Sequence, residues 1–273
     1  MIREALPDDL DVIGWAAAEA FIADAMAHYF SGTTKLMSIT NKSELRELYD
    51  LYHFVTKTCM ISGGRVILAV PMESNLESSS ETSSTIAAAA CWYPPRKRVT
   101  TLNAVRGGIT KCIRNWRVKG FERMLTEYSP KTHELFKRAF TSKAMETQRM
   151  EKGKQDKKRI LRESDSWYLQ LMFSSKQYEG RGLMSTLMRE GFAYAHSSTP
   201  GIPFTLDATS ARARDRYLHL GYELMEPETL IGVGKANAQG IAPVKKYRDK
   251  NEELTGVPYW CMVNVRIMVP LDL

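Results

Sequence analysis

Cysteine is scarce in this 273-residue chain: Cys59, Cys91, Cys112 and Cys261 are the four present. They lie far apart, no pair has zinc-ligand spacing and no disulfide framework follows, so buried free thiols are expected. Histidine is scarce too. His28, His53, His133, His196 and His219 form no close cluster, and no metal site is expected. Long apolar runs are missing; the longest, residues 86–93, is too short to span a bilayer. Residues 1–9 lack the basic, apolar and small-residue pattern of a signal peptide. These absences predict a cytoplasmic protein, with the nucleus as the alternative compartment, and no membrane partner. No internal repeat is present.

What is there is the balance of a globular chain, 44% apolar and 25% charged, with length enough to bury a sizeable core. The net charge of +7 is unevenly placed: residues 96–162 hold 20 of the 38 Lys and Arg and 6 of the 31 Asp and Glu. Such a segment can attract nucleic acid, membrane phosphates or a polyphosphate cofactor. The solvated face of surface helices is the preferred reading, and nucleic acid is not expected as a partner, although Trp116 and Phe121 are interleaved with the basic residues.

Residues 1–5 read as a strand. A helix starts at Pro7-Asp8-Asp9 and is expected to run to about His28, and Asn41-Lys42-Ser43-Glu44 opens a second with a stripe of Leu45, Leu48, Leu51, Tyr52 and Val55. Strands at 65–70 and 85–93 flank a Ser- and Glu-rich hairpin loop at 73–84 and should pair antiparallel. Residues 99–163 are a basic helical insertion, with Pro130 expected to interrupt its helices and a charged, mobile run at 151–162. A strand at 223–225, a long loop at 231–255 and a last strand at 259–269 close the chain.

Residues 167–222 carry the chemistry. The run 167–173 is a strand, 177–182 a glycine loop, 183–196 a helix, 204–207 a strand and 210–220 a helix stopped by Gly221. On the first helix, Leu183, Leu187 and Tyr194 form one stripe and Met184, Met188 and Phe192 the next, for packing on the sheet. The first turn of a helix offers unpaired N–H groups and the positive end of its dipole. Gly180 and Gly182 let the backbone approach a phosphate closely. The P-loop ending and the three-glycine dinucleotide fingerprint are both missing.

Gln177, Gly180 and Gly182 stand as in the Gln-x-x-Gly-x-Gly loop of the GCN5-related N-acetyltransferases (the GNAT superfamily), which the chain resembles. Ser210, Ala213 and Tyr217, followed by Leu220-Gly221-Tyr222, resemble that family's last-helix pattern, with Ser210 in place of its common Asn. Ser174 stands where many members have Pro. Gly182-Leu183-Met184-Ser185 is similar to fungal members. The resemblance implies one α/β domain over residues 1–273, with a mixed sheet of about six or seven strands, flanking helices and the insertion 99–163 between the third and fourth strands.

It also implies direct transfer of acetyl from acetyl-CoA to a primary amine, most simply that of a small molecule, in a ternary complex of a monomer or homodimer. A protein lysine or N-terminal acetyltransferase is the alternative, and a non-catalytic polyanion binder on the same fold is the third reading. Leu171, Met172 and Phe173 would hold the pantetheine arm with Ser210 and Ala213. Gln177, Tyr178, Glu179, Gly180, Arg181, Gly182, Leu183 and Met184 would hold the pyrophosphate. Tyr217 is the candidate general acid, its alternative being a packing aromatic. Asp207 is the candidate base, its alternative being a helix N-cap. Asp165 and Glu163 are weaker base candidates. Tyr29, Trp92, Trp167 and Trp260 are candidates for lining the acceptor site, or else core.

Overall fold

The computed structural model describes residues 1–71, 85–150, 162–243 and 253–265. The hairpin loop expected at 73–84, nearly all of the charged run at 151–162, part of the loop at 231–255 and the end of the last strand fall outside these residues.

The chain opens with strand β1 (Ile2–Glu4), helices α1 (Leu10–Ala20), α2 (Ala25–Ser31) and α3 (Lys42–Ile61), and the pair β2 (Arg65–Ala69) and β3 (Ala88–Tyr93). Asn41 starts α3 by accepting from the N–H groups of Ser43 and Glu44. The single helix expected to reach His28 is two. α1 stops at Ala20, and Asp24 begins α2 by accepting from the Ala27 N–H at 2.9 Å. A short polar side chain that caps a new helix competes with continuation of the old one.

The inserted arm is helical from 101 to 150 apart from the left-handed Gly108: α4 (Thr101–Gly107), α5 (Ile109–Arg123), a π turn (Met124–Tyr128) and α6 (Ser129–Met150). Pro130 does not interrupt it. Proline lacks an N–H and crowds the carbonyl four residues back. The wider π turn, in which the Ser129 N–H donates to the Met124 carbonyl, absorbs the misfit while Arg123, Met124 and Ser129 keep right-handed helical angles.

Strand β4 (Trp167–Ser174), α7 (Leu183–Ser198), β5 (Phe204–Ala208), α8 (Ala211–His219), β6 (Glu223–Leu224), β7 (Thr229–Ile231) and β8 (Val257–Asn264) follow. The strand order is β1-β2-β3-β4-β5-β8-β6, with β7 also on β8. This makes eight strands where about six or seven are expected; the short β6 and β7 share one edge of β8. β2 and β3 pair antiparallel, and β4 and β5 are parallel.

Three apolar clusters cover the sheet. α1 and α3 bury Ile13, Leu48, Leu68, Cys91 and Phe173 on one face. On the other face α7 and α8 bury Trp92, Leu169, Leu187, Met188, Leu206 and Tyr217. The third cluster joins α2 to the arm and to β7 and β8, through Tyr29, Phe30, Trp116, Phe136, Ile231 and Tyr259. Of the expected α7 stripes, Leu187 and Met188 are buried, but Tyr194 is 43% exposed. It stands at the rim, edge-on to Trp167, with the Arg65 guanidinium 4.0 Å above its ring.

β4 changes face partway. Trp92 pairs with Leu169 and Cys91 with Leu171, so Gln170 is an extra residue. Trp167 and Leu169 point to the α7 face, yet after the bulge it is Met172 that does so, while Leu171 and Phe173 turn to the α1 face. One inserted residue inverts the alternation of everything beyond it.

Candidate active site

β4 and β5 pair at Trp167 with Phe204, Tyr168 with Thr205 and Leu169 with Leu206. Beyond these pairs β4 runs on to Ser174 and β5 to Ala208 without pairing to each other. The parting begins at the bulge. It leaves the side of β4 that carries Leu171, Met172 and Phe173 without a strand partner, so alternate backbone groups there face a gap.

The chain leaves β4 through a short turn at Lys176–Tyr178 and reaches the loop. Gly180 (φ 78°) and Gly182 (φ 74°) are both left-handed, and a Cβ on either would meet nothing within 4 Å. Gly182 is the N-cap of α7 and has no side chain to satisfy it; the first intrahelical bond is Thr186 N–H to Gly182 O at 3.1 Å. Among the described residues the N–H groups of 180–185 donate to no protein acceptor. Those of Tyr178 and Glu179, expected to face a phosphate, donate instead to Ser175 O at 2.8 Å and Lys176 O at 3.3 Å. The run of N–H groups without a protein acceptor therefore begins at Gly180. Gln177 and Arg181 are exposed, and Arg181 lies over the Tyr178 ring at 5.1 Å. Arg212 pairs with Glu179 at 2.9 Å, and Arg216 reaches the Met184 sulfur at 3.4 Å, so α8 is tied to the loop.

Asp207 is the first β5 residue past the last pair with β4, and it points to the face opposite α7. Its Oδ2 accepts from Tyr168 OH at 2.8 Å and Tyr128 OH at 3.1 Å, and its Oδ1 from the Cys261 thiol at 3.1 Å. It is no N-cap: Ser210 starts α8, accepting from the Ala213 N–H at 3.2 Å. Burial raises the Asp207 carboxyl above its ordinary value, against the pull of its three donors. Thr209, just past β5, donates to Asp24 at 2.7 Å and fastens the start of α2 to the same end of the sheet.

Tyr217 lies on the α7 face, 6% exposed, its ring 5.8 Å from that of Tyr222. Its hydroxyl makes no hydrogen bond among the described residues, and burial pushes its phenol up. Trp260 pairs with Ala208 on the same face under the Arg214 guanidinium, 4.8 Å from the ring. Trp92 and Trp167 are core beneath α7, Trp167 donating to Thr199 at 2.7 Å. Tyr29 lies on the Asp207 side and donates to Glu127 at 2.8 Å; Glu127 also accepts from the Gly232 N–H and pairs with Lys235. Asp165 is committed to Arg96, and Glu163 to His133.

Sequence reasoning missed Tyr128, Tyr168, Cys261 and Glu127. Tyr168 carried a weak signal, lying between Trp167 and Leu169 on a strand whose neighbours face the other way. Tyr128 carried none, since it meets Asp207 across 79 residues. Trp116, weighed as a stacking residue for nucleic acid, is buried in the third cluster.

No family model and no curated protein sequence matches the chain. Among solved structures it is similar to a Corynebacterium glutamicum protein described as histone acetyltransferase HPA2 and related acetyltransferase, with 16% identity, TM-score 0.50, and coverage of 97% of this chain and 94% of that one. Arylalkylamine N-acetyltransferase 2 from Aedes aegypti (14%, TM-score 0.48, 97% and 98% covered) and the Drosophila melanogaster polyamine N-acetyltransferase (13%, 0.45, 96% and 98%) are more distant in shape. The strand order, the parting of β4 from β5 and the overlap with the first of these structures give this chain the fold of the GCN5-related N-acetyltransferases.

Proposed function

We propose that the protein is an acetyl-CoA-dependent N-acetyltransferase acting on the primary amine of a small molecule. One observation carries this reading: the gap between β4 and β5 has a half-buried, hydrogen-bonded carboxylate on one face, Asp207, and on the other a buried phenol without a partner among the described residues, Tyr217. A thioester in the gap then meets a base on the side where the amine arrives and an acid on the side where the thiol departs.

The loop fits the donor. Free N–H groups at 180–185, the positive end of a 16-residue helix and the open space at Gly180 and Gly182 suit a pyrophosphate. The unpaired side of Leu171, Met172 and Phe173 suits an extended amide-bearing arm. Ser210 is occupied in capping α8, so Ala213 and Tyr217 are the α8 residues assigned to line that arm.

Acetyl-CoA, when bound, supplies the thioester: the amine nitrogen bonds to the carbonyl carbon, the C–S bond breaks, and coenzyme A leaves as thiolate. A β4 N–H facing the gap, at Leu171 or Met172, polarises the carbonyl. Asp207 takes the amine proton through Oδ1, whose protein donor is a thiol and hence weak. Tyr217 gives its proton to the sulfur, since a phenol held above its ordinary value of 10.0 stays protonated at neutral pH.

Acetyl-CoA should raise the melting temperature, by the equivalent of about 2.7 kcal/mol at a hundredfold excess over Kd; no shift at millimolar concentration overturns the assignment. Thiol release measured over polyamines, arylalkylamines, and peptides with free lysines or N-termini then identifies the acceptor. Turnover confined to the peptides replaces the small-molecule reading by a protein one.

A further inference from the structure

We propose that the inserted arm is part of the active site, and that Tyr128, delivered by the π turn, is a positioning residue for the Asp207 carboxylate. The inference rests on the assignment of Asp207 as base.

The π turn adds one residue to a helical turn. At 3.6 residues per turn, each added residue rotates all that follows by about 100°. Here the turn brings two consecutive side chains onto the body of the protein. Glu127 reaches Tyr29 of α2, the Gly232 N–H after β7, and Lys235. Tyr128 reaches Asp207, its ring held between Phe30 (centroids 5.7 Å) and Tyr259 (5.3 Å). The arm is thereby fixed to α2, β5 and β8 at once, on the face from which the amine arrives. π turns lie in helices at a cost in regularity and are frequent at functional sites.

The two oxygens of Asp207 differ in consequence. Oδ2 accepts two phenolic hydrogens, from Tyr128 and Tyr168, while Oδ1 holds the Cys261 thiol. The phenols set the plane of the carboxylate and leave Oδ1 as the oxygen with basic capacity to spare. The groups facing Asp207 are Tyr128 from the arm, Tyr168 from β4 with Arg98 stacked on its ring at 5.3 Å, Cys261 and Tyr259 from β8, and the charge of Glu163. Tyr128 is the donor that the insertion contributes.

The test is Tyr128→Phe, which keeps the ring and removes the donor, beside Asp207→Asn, with folding checked by the melting temperature and its rise with acetyl-CoA. Asp207 is titrated by carbon-13 NMR in protein labelled at the aspartate carboxyls, its resonance identified by its loss in Asp207→Asn. Removing one donor to the ionised form should raise its midpoint by about one pH unit. With phenethylamine as acceptor probe, the acid limb of kcat/KM should move up by the same amount, a roughly tenfold loss one unit below the limb, with the alkaline plateau and the acetyl-CoA KM kept. An unmoved midpoint overturns the proposal without any acceptor. A moved midpoint with an unmoved acid limb, an equal loss at every pH included, shows that the limb is not set by Asp207 and overturns the base assignment as well. Undiminished activity of Asp207→Asn removes the base assignment and the proposal together.

Discussion

Asp207 is half-buried and Tyr217 buried, and their positions on opposite faces of the sheet set what each can do. Tyr217→Phe should lower kcat by about a hundredfold or more, in the range usual for a lost general acid, and leave acetyl-CoA binding by calorimetry nearly unchanged. Equal turnover would return Tyr217 to a packing role. For Asp207 the sign follows from burial. The folded carboxyl is raised above 3.8, so the folded state binds its proton more tightly than the unfolded chain does. That contribution to stability is present below the ordinary value and is lost as pH rises through the raised one. With Asp207 as the proposed base, activity requires the ionised form and should rise over the same window. Asp207→Asn cannot ionise; it should be inactive and should melt above the parent at pH 8, with the difference vanishing at low pH. A variant that melts lower at every pH would show that the three donors outweigh the cost of the buried charge. Asp207 itself was legible as a carboxylate ending a strand, whereas its donors were not, because Tyr128 and Cys261 come from elements distant in sequence.

At the scale of elements, the glycine loop and α7 act as one device. Gly182 caps the helix in a left-handed conformation without covering its N–H groups. A side chain at that angle costs about 1–2 kcal/mol. Gly182→Ala should therefore lower the melting temperature and weaken acetyl-CoA binding together, both readable in one thermal titration; a melting temperature and an affinity like the parent's would place the phosphate elsewhere. This element was legible because glycine spacing and helix starts are local. The bulge at Gln170 was not. Nothing in Leu169-Gln170-Leu171 marks an extra residue, and the inversion of β4 appears only when β3 is laid beside it. The π turn is similar: Pro130 announced a disturbance, but nothing local marked it as a widened turn rather than a break.

Across the whole molecule, the insertion is no appendage. Its α5 and α6 bury Trp116, Leu135 and Phe136 against α2, β7 and β8. Phe136 is fully buried, and Phe136→Ala should cost about 3–5 kcal/mol in urea denaturation, with a single transition for the arm and the sheet. Separate transitions would make the arm a unit of its own. The sequence by itself determined most of the order of elements, the glycine loop, the burial of the thiols and the place of the insertion. Each is written in local terms: apolar period, glycine and proline positions, and helix caps. The tertiary structure alone decided which side chains meet. Facing on a sheet has a period of two residues, and one bulge reverses it; a contact such as Tyr128 with Asp207 depends on two elements packed together, and leaves no trace in either segment read alone.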